Sequence, residues 1–466
     1  MATADRLRQY LSELKPNARA LLIKELERSL VRGDADPIAD LVLHELRVLA
    51  RESREGGPRQ GTAARLFFKP LEPFLVDDTP QHKHPYRIAR AVLEPLWTWI
   101  RRDLVAAEAK IYIEQAATLS AAGDIGKAEY LARAFQDKVA VALSVALEDA
   151  ERDDKARRRL IAQIGTPRAH DDATILCRGL KFRDMLGTLA GHLPGHIGNF
   201  TGEALDQALT LIDVVAKRER DAFPYTLLVV MQRLAAPWQL IRLATQAAGS
   251  DQAARVADSG YAIAVDIALA EVGRVVAELR ADLRGGQGVA NGALLKSIHD
   301  SARGLRTEIE LSHDSIWGRE LAALRGQISE LLKAEIESMP GRVRRLLRPR
   351  GSHDIKPNSQ LDPGEVAETE LLIEFVGVCR HFAPELALNE MTQRAYSDLQ
   401  QYLDSGSGAL LDGLRHAGAA DEPFRASQVE ALIRFCRKVF GADYAAMLSK
   451  AAEVAITSAA PAAARL

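Results

Sequence analysis

Aromatic residues are scarce in this chain: Phe, Tyr and Trp together make up 5% of 466 positions. Its cores are therefore expected to consist of Leu, Ala, Val and Ile. Such side chains let helices approach closely but offer few faces for stacking bases or planar cofactors. Cysteine is scarcer still. Cys177, Cys379 and Cys436 are far apart and odd in number, which excludes a disulfide framework and zinc-finger spacing and fits a reducing, cytoplasmic setting. Charge of one sign is also lacking. The 61 Lys and Arg nearly balance 63 Asp and Glu, for a net of -2, so there is no global pull toward nucleic acid or anionic lipid. No run of about 20 apolar residues suits a membrane helix. Residues 185–202 carry no formal charge, but their Gly, Pro, His and Asn exclude a lipid-facing helix. Near the start, Asp5, Arg6, Arg8, Glu13 and Lys15 leave no room for the apolar core of a signal peptide.

Motifs for common chemistries are missing as well. There is no P-loop, no dinucleotide fingerprint at a strand–helix junction and no Gly-x-Ser-x-Gly elbow. Gly285, Gly286 and Gly288 have no strand before them, so they read as a turn. No cofactor is expected.

What the chain has is helical periodicity. At 47% hydrophobic and 27% charged it has the composition of an ordinary globular protein. In 253–339, Tyr261, Val265, Ala268, Val272, Val275, Leu279 and Leu283 recur at four- and three-residue steps. That spacing keeps one apolar seam on one face. Leu294, Ile298, Ala302, Leu305, Ile309, Ile316, Leu321, Leu324, Ile328 and Leu331 form a second arm. The two arms predict a long central helical hairpin, with coiled-coil character, reaching about 45 and 65 Å if unbroken at ~1.5 Å per residue. The fold class is all-α, multi-helix bundles around that hairpin, with little or no β-sheet.

The chain divides into five stretches by pattern: an N-terminal helical hairpin (1–55), a Pro-rich strap (56–86), a central bundle holding the long hairpin (87–340), a basic linker (341–364) and an acidic helical unit (365–458). Pro16 and Asp36-Pro37 open helices in the first, and Gly33 stops one. Pro58, Pro70, Pro73, Pro80 and Pro85 forbid a long helix in the strap. Its Phe67, Phe68, Leu71, Phe74, Leu75 and Val76 predict a segment lying extended across a helical surface. Pro95 predicts a kink, 121–124 a helix–helix turn, and Ser405-Gly406-Ser407-Gly408 another turn. The Ala-rich tail from Ala459 is expected to fray. The run Ala122-Gly123-Asp124-Ile125-Gly126-Lys127-Ala128 resembles the helix–helix turn of tetratricopeptide repeats, but no 34-residue recurrence follows, so that family is not assigned.

Four His-Asp doublets occur, at His170-Asp171, His299-Asp300, His313-Asp314 and His353-Asp354. In a helical protein they resemble HD-type metal-dependent phosphohydrolases, and that resemblance implies divalent metal activating water. His299-Asp300 is the best local match, although no further histidine lies between His196 and His299. His82 and His84 straddle Lys83 and would share one side of an extended loop, but a closed site needs about four ligands. His192 and His196 have helical metal spacing with Pro194-Gly195 between them. Cys379-Arg380-His381 places thiol and imidazole on different helix faces, so Cys379 is expected in a core. No metal is assigned from these residues.

The charge layout carries more. Arg342, Arg344, Arg345, Arg348 and Arg350 form a compact run interleaved with Val343, Leu346 and Leu347. Residues 361–422 follow with twelve carboxylates and only Arg380, Arg394 and Arg415, a local net of -9. The run is the candidate binding site for an anionic partner, or it folds back on the acidic unit. The leading expectation is a non-enzymatic cytoplasmic scaffold or adaptor that binds protein partners and self-associates through exposed seam. The alternatives are an HD-like phosphohydrolase using His299 and Asp300, or peripheral membrane docking through the arginine run.

Overall fold

The computed structural model describes residues 62–77, 84–166, 168–284, 292–312 and 314–459, with scattered positions between 11 and 46. The described residues form eighteen α-helices and almost no sheet, an all-α multi-helix protein. Two compact units emerge. The first holds residues 1–278 and 301–321, the second 279–300 and 322–466. No described helix is long and apolar enough to cross a membrane.

The first unit begins, where described, with Leu11 and Leu46, against which Leu14, Leu22, Ile23, Leu26 and Val42 pack. The strap then departs from the extended path its prolines suggest. Thr62–Phe68 is helix α1, Lys69–Phe74 a 3-10 turn, and Leu75–Val76 (β1) pairs in parallel with Ile88–Ala89 (β2). Pro70 sits in the first turn of the 3-10 segment, where its missing N–H costs nothing. Apolar burial drives the winding: Phe67, Phe68, Leu71, Phe74 and Val76 are all buried.

The few aromatics are concentrated here. Phe67 packs with Phe68, Trp97 and Phe135, and Tyr112 stacks on Phe135 at 4.3 Å. The Tyr112 hydroxyl donates to the Ala63 carbonyl at 2.7 Å. Helices α2 (Leu93–Trp99), α3 (Ala106–Ala121), α4 (Ile125–Arg152), α5 (Asp154–Ile164) and α6 (Ala169–His192) follow. Pro95 lies in the first turn of α2, so it starts a helix rather than kinking one. The 121–124 turn forms as expected. Gly123 takes φ +73°, and Asp124 caps α4 by accepting from the Lys127 amide. Gly179 in α6 lets the strap close, because a Cβ there would fall 2.5 Å from Leu71 Cδ2.

Helices α7 (Glu203–Arg218), α8 (Phe223–Arg233), α9 (Ile241–Ala248) and α10 (Ala253–Ala257) lead to the hairpin region. The long arms are segmented rather than continuous. α10 and α11 (Ile263–Arg284) occupy the first arm, α12 (Gly292–Glu308) and α13 (Ile316–Leu347) the second. At the second break the Glu310 amide donates to Asp251 O at 2.8 Å, so backbone pairing with a distant segment replaces a helical turn. The reversal at 285–291 lies outside the described residues. The seam itself is real, with Val265, Ala268, Val272 and Leu279 buried. Ile316, on the second arm, stays 73% exposed.

A largely buried ionic chain ties Arg87, just past the strap, to α11 and runs out to a half-exposed Glu278. Arg87 Nη1 meets Glu271 Oε2 at 2.7 Å, Arg274 Nε meets Glu271 Oε1 at 2.8 Å, and Arg274 Nη1 meets Glu278 Oε2 at 2.9 Å. Trp317 Nε1 donates to Asp266 Oδ1 at 2.7 Å and locks the start of α13 to α11. Gly304 of α12 lies against Trp238, and a Cβ there would fall 2.3 Å from the indole ring. Alanine normally gains about 1 kcal/mol over glycine inside a helix. Here overpacking reverses the sign, and Gly304→Ala is expected to cost about 1–3 kcal/mol, read as a lower melting temperature.

In the second unit, α13 runs through Pro340 to Leu347 instead of ending at Met339. Pro340 removes one backbone bond, but Val343, Leu346 and Leu347 are buried beyond it, and their burial outweighs that loss. Residues 341–347 are therefore helical. The Ser405–Gly408 stretch is also helical, inside α16 (Asn389–Arg415). Ser405 and Ser407 hydroxyls bond back to the Gln401 and Asp404 carbonyls, while Leu403, Leu410 and Leu414 anchor both sides. Helices α14 (Pro363–His381), α15 (Ala383–Leu386), α17 (Glu422–Phe440) and α18 (Ala442–Ala459) complete the unit. Residues 460–466, where fraying was expected, lie outside the described residues.

Candidate binding groove and the arginine helix end

The first unit carries a cleft of about 540 Å³ between the strap, α4 and α6, within the size range of ligand-binding clefts. Leu66, Phe74, Leu186 and Val229 supply apolar walls, with Pro70 and Pro73 on the strap side. Gly126, Ala132, Gly187 and Ala190 keep the helix surfaces low enough to leave the space open. Tyr130 stands at the cleft 77% exposed, an amphipathic ring of the kind that anchors protein interfaces.

Every described charged side chain lining the cleft already has a partner. Lys69 Nζ meets Glu129 Oε1 at 2.6 Å, and Arg133 Nη2 meets Asp184 Oδ1 at 3.1 Å. Arg183 is nearly buried, bonding Asp137 Oδ1 at 2.7 Å and the Leu180 carbonyl at 3.0 Å. Gln136 donates to the Phe67 carbonyl at 2.8 Å and closes the end of α1. Among the described residues no histidine, cysteine, serine or threonine lines the cleft. The arrangement offers shape, apolar surface and a paired ionic rim.

The residues singled out for metal chemistry do not converge. His299 Nδ1 lies 3.1 Å from Asp300 Oδ1, but Asp300 Oδ2 is held by Lys296 at 2.7 Å and the imidazole packs on Phe382 at 4.6 Å. His170 meets Asp171 at 3.9 Å and His353 meets Asp354 at 3.3 Å, each its own sequence neighbour, and Asp171 also faces Arg168 at 3.9 Å. His84 is buried, whereas His82 and His313 lie outside the described residues. His192 bonds the Thr188 carbonyl of its own helix. Among the described residues no group of three or more His, Cys, Asp or Glu side chains is placed to hold a metal ion. The three thiols are buried. Burial pushes Cys379 far up and Cys436 up to about 12, so neither is a ready nucleophile.

The arginine run forms the last turn of α13 and the three residues after it. Arg345 Nη2 pairs with Glu365 Oε1 at 3.0 Å, and Arg350 stacks over Phe424 at 4.9 Å, so part of the run does fold back on the acidic unit. Arg344 lies 5.7 Å over the Tyr402 ring. Buried Gln428 donates to the Leu346 and Arg348 carbonyls at 2.9 and 3.1 Å, satisfying acceptors that the helix end leaves open. Neither Tyr402 nor the cleft was indicated by sequence pattern. The cleft joins four distant segments, and Tyr402 looks like any half-buried helical aromatic. No protein-family model, no curated protein and no solved structure matches this chain.

Proposed function

We infer that the chain is a non-enzymatic helical scaffold or adaptor in a reducing, cytoplasmic setting, holding a segment of a partner protein in the cleft of its first unit. One observation carries this reading: the lining is apolar, fronted by an exposed tyrosine, and each of its charged groups is already neutralised by a neighbour. An inserted apolar side chain displaces water there without stranding a buried charge.

Gly187 gives a clean test. A Cβ built there meets nothing within 4 Å, so a large side chain enters the cleft and not the core. Gly187→Phe is expected to keep or raise the melting temperature, since a helical glycine is replaced. It is also expected to abolish the cross-link that a photoreactive amino acid at position 130 forms to a partner protein in the native cell. Equal cross-linking by the filled and open forms would defeat the reading.

A further inference from the structure

We propose that Ser352 is a phosphorylation site and that Arg425 holds the phosphate it gains. The pair lies in the second unit, uses none of the cleft and does not rest on the scaffold reading.

Between buried Leu347, the end of α13, and buried Ile355, residues 348–354 are all exposed. Residues 348–351 are not helical, and Ser352 opens the 3-10 turn Ser352–Asp354. A modifying enzyme can draw such a stretch into an extended path without unwinding a long helix. The hydroxyl is also placed unlike its neighbours. Ser405 and Ser407 donate within their own helix, and Ser359 donates to the Lys356 carbonyl at 2.6 Å. Ser352 Oγ instead accepts, from Arg425 Nη2 at 3.4 Å, and among the described residues it donates to nothing. Arg350 and Arg348 stand two and four positions before it, Arg345 and Arg344 seven and eight. Charge patterns of this kind are what kinases use to tell substrates apart.

Arg425, near the start of α17, is short of partners. Its side chain is 16% exposed, and its one carboxylate, Asp421 Oδ2, stands at 3.9 Å, beyond hydrogen-bond length. Nη2 donates at 3.4 Å to two neutral oxygens, Ser352 Oγ and the Arg350 carbonyl, and among the described residues buried Nε donates to nothing. Arg434 of the same helix is matched, with Nε 2.9 Å from Glu370 Oε2. A phosphate on Ser352 supplies what Arg425 lacks: about -1.5 to -2 in charge and three acceptor oxygens, one atom further along a contact that already exists. In the transfer a bond forms from Oγ to the terminal phosphorus of a nucleoside triphosphate. The bond from that phosphorus to the bridging oxygen breaks, the nucleoside diphosphate leaves, and the hydroxyl proton passes to the kinase's base. Two carboxylates oppose the added charge. Asp354 is turned to His353 Nε2 at 3.3 Å and Asp421 to Arg425, and direct contact with a guanidinium outweighs them. The Arg350 carbonyl bonds the same guanidinium, so the phosphate fastens both sides of Gly351 to α17.

The full chain is compared with the same chain carrying phosphoserine at 352, installed during synthesis. The readout is amide exchange at Asp354 and Ile355, whose N–H groups donate to the Gly351 and Ser352 carbonyls at 2.9 and 3.4 Å. Phosphoserine is expected to slow it about tenfold, the scale of one added charge-assisted hydrogen bond. Arg425→Gln is expected to remove the slowing. Each variant is compared with its own unmodified form, so a general loss of stability cancels. Arg425→Lys keeps the charge without the fork, and is expected to retain only part of the slowing. Chain recovered from its native cell with phosphatases inhibited is expected to carry phosphate on Ser352 by mass spectrometry, and Arg348→Ala with Arg350→Ala to lose it. Equal exchange in the two forms, the same slowing in Arg425→Gln, inorganic phosphate slowing the unmodified chain as much, or recovered chain bare at Ser352 would each overturn the proposal.

Discussion

Glu271→Gln is expected to destabilise the first unit by about 3–5 kcal/mol, the usual cost of removing one partner from a buried ion pair. The carboxylate is shared by two guanidiniums, and all three groups are less than one-fifth exposed. Glu278 still neutralises Arg274 in the variant, so Arg87 is the charge left stranded. Its remaining contact in this network is Met231 Sδ at 3.9 Å, a weak acceptor. Denaturant unfolding followed on the first unit measures the loss. Replacing Arg87 and Glu271 together by leucine is expected to recover part of it, because the stranded charge goes too. A glutamine variant as stable as the parent would show that the network contributes nothing.

Acid dependence offers a second reading of the same residue. Burial pushes the Glu271 carboxyl up, but Arg274 and Arg87 override it and hold it at about 2, against an ordinary 4.5. A depressed carboxyl contributes stability that is present above pH 4.5 and is lost as pH falls toward 2. At 1.36 kcal/mol per pKa unit the swing is roughly 3 kcal/mol. The gap between wild type and Glu271→Gln is therefore expected to narrow across that window.

Asp172→Asn is expected to act in the opposite direction. Asp172 sits in the first turn of α6 and is 3% exposed. Burial raises its carboxyl to about 6 from 3.8; Arg168 opposes the shift and Asp171 adds to it. The positive end of a helix favours an anion by under about 1 kcal/mol, so burial wins. A raised carboxyl leaves the fold most stable below pH 3.8, and that stability is lost as pH rises through 6. Above pH 6 the folded protein carries a buried anion at a cost of roughly 2–3 kcal/mol. The neutral amide avoids it. The variant is thus expected to melt several degrees above wild type at pH 7.5, at about 2–4 °C per kcal/mol for a unit of this size. At pH 4 the two should coincide. An equal gap at both pH values would mean that ionisation is not its cause.

Much of the architecture can be read from the chain because helical periodicity is local. The seam from Val265 to Leu279 and the Gly123-Asp124 turn with its cap are written in residues a few positions apart. Pro340 and Ser405–Gly408 misled for the same reason. Breakers signal strongly over short distances, while the buried leucines that hold the helix together on both sides signal only through packing. The strap was legible as apolar but not as helical, since its form depends on the Phe67–Trp97–Phe135 cluster assembled from three segments.

Composition and spacing were enough to predict an all-α chain and to mark the arginine run as unusual. They could not show which groups meet it, with Arg345 on Glu365, Arg350 over Phe424 and Arg344 over Tyr402. Nor could they show the cleft, or the surroundings that move two carboxyls in opposite directions, with arginines pulling Glu271 down and burial pushing Asp172 up. A charge's environment is set by side chains that chain folding brings from far along the sequence, and no local pattern encodes which ones arrive.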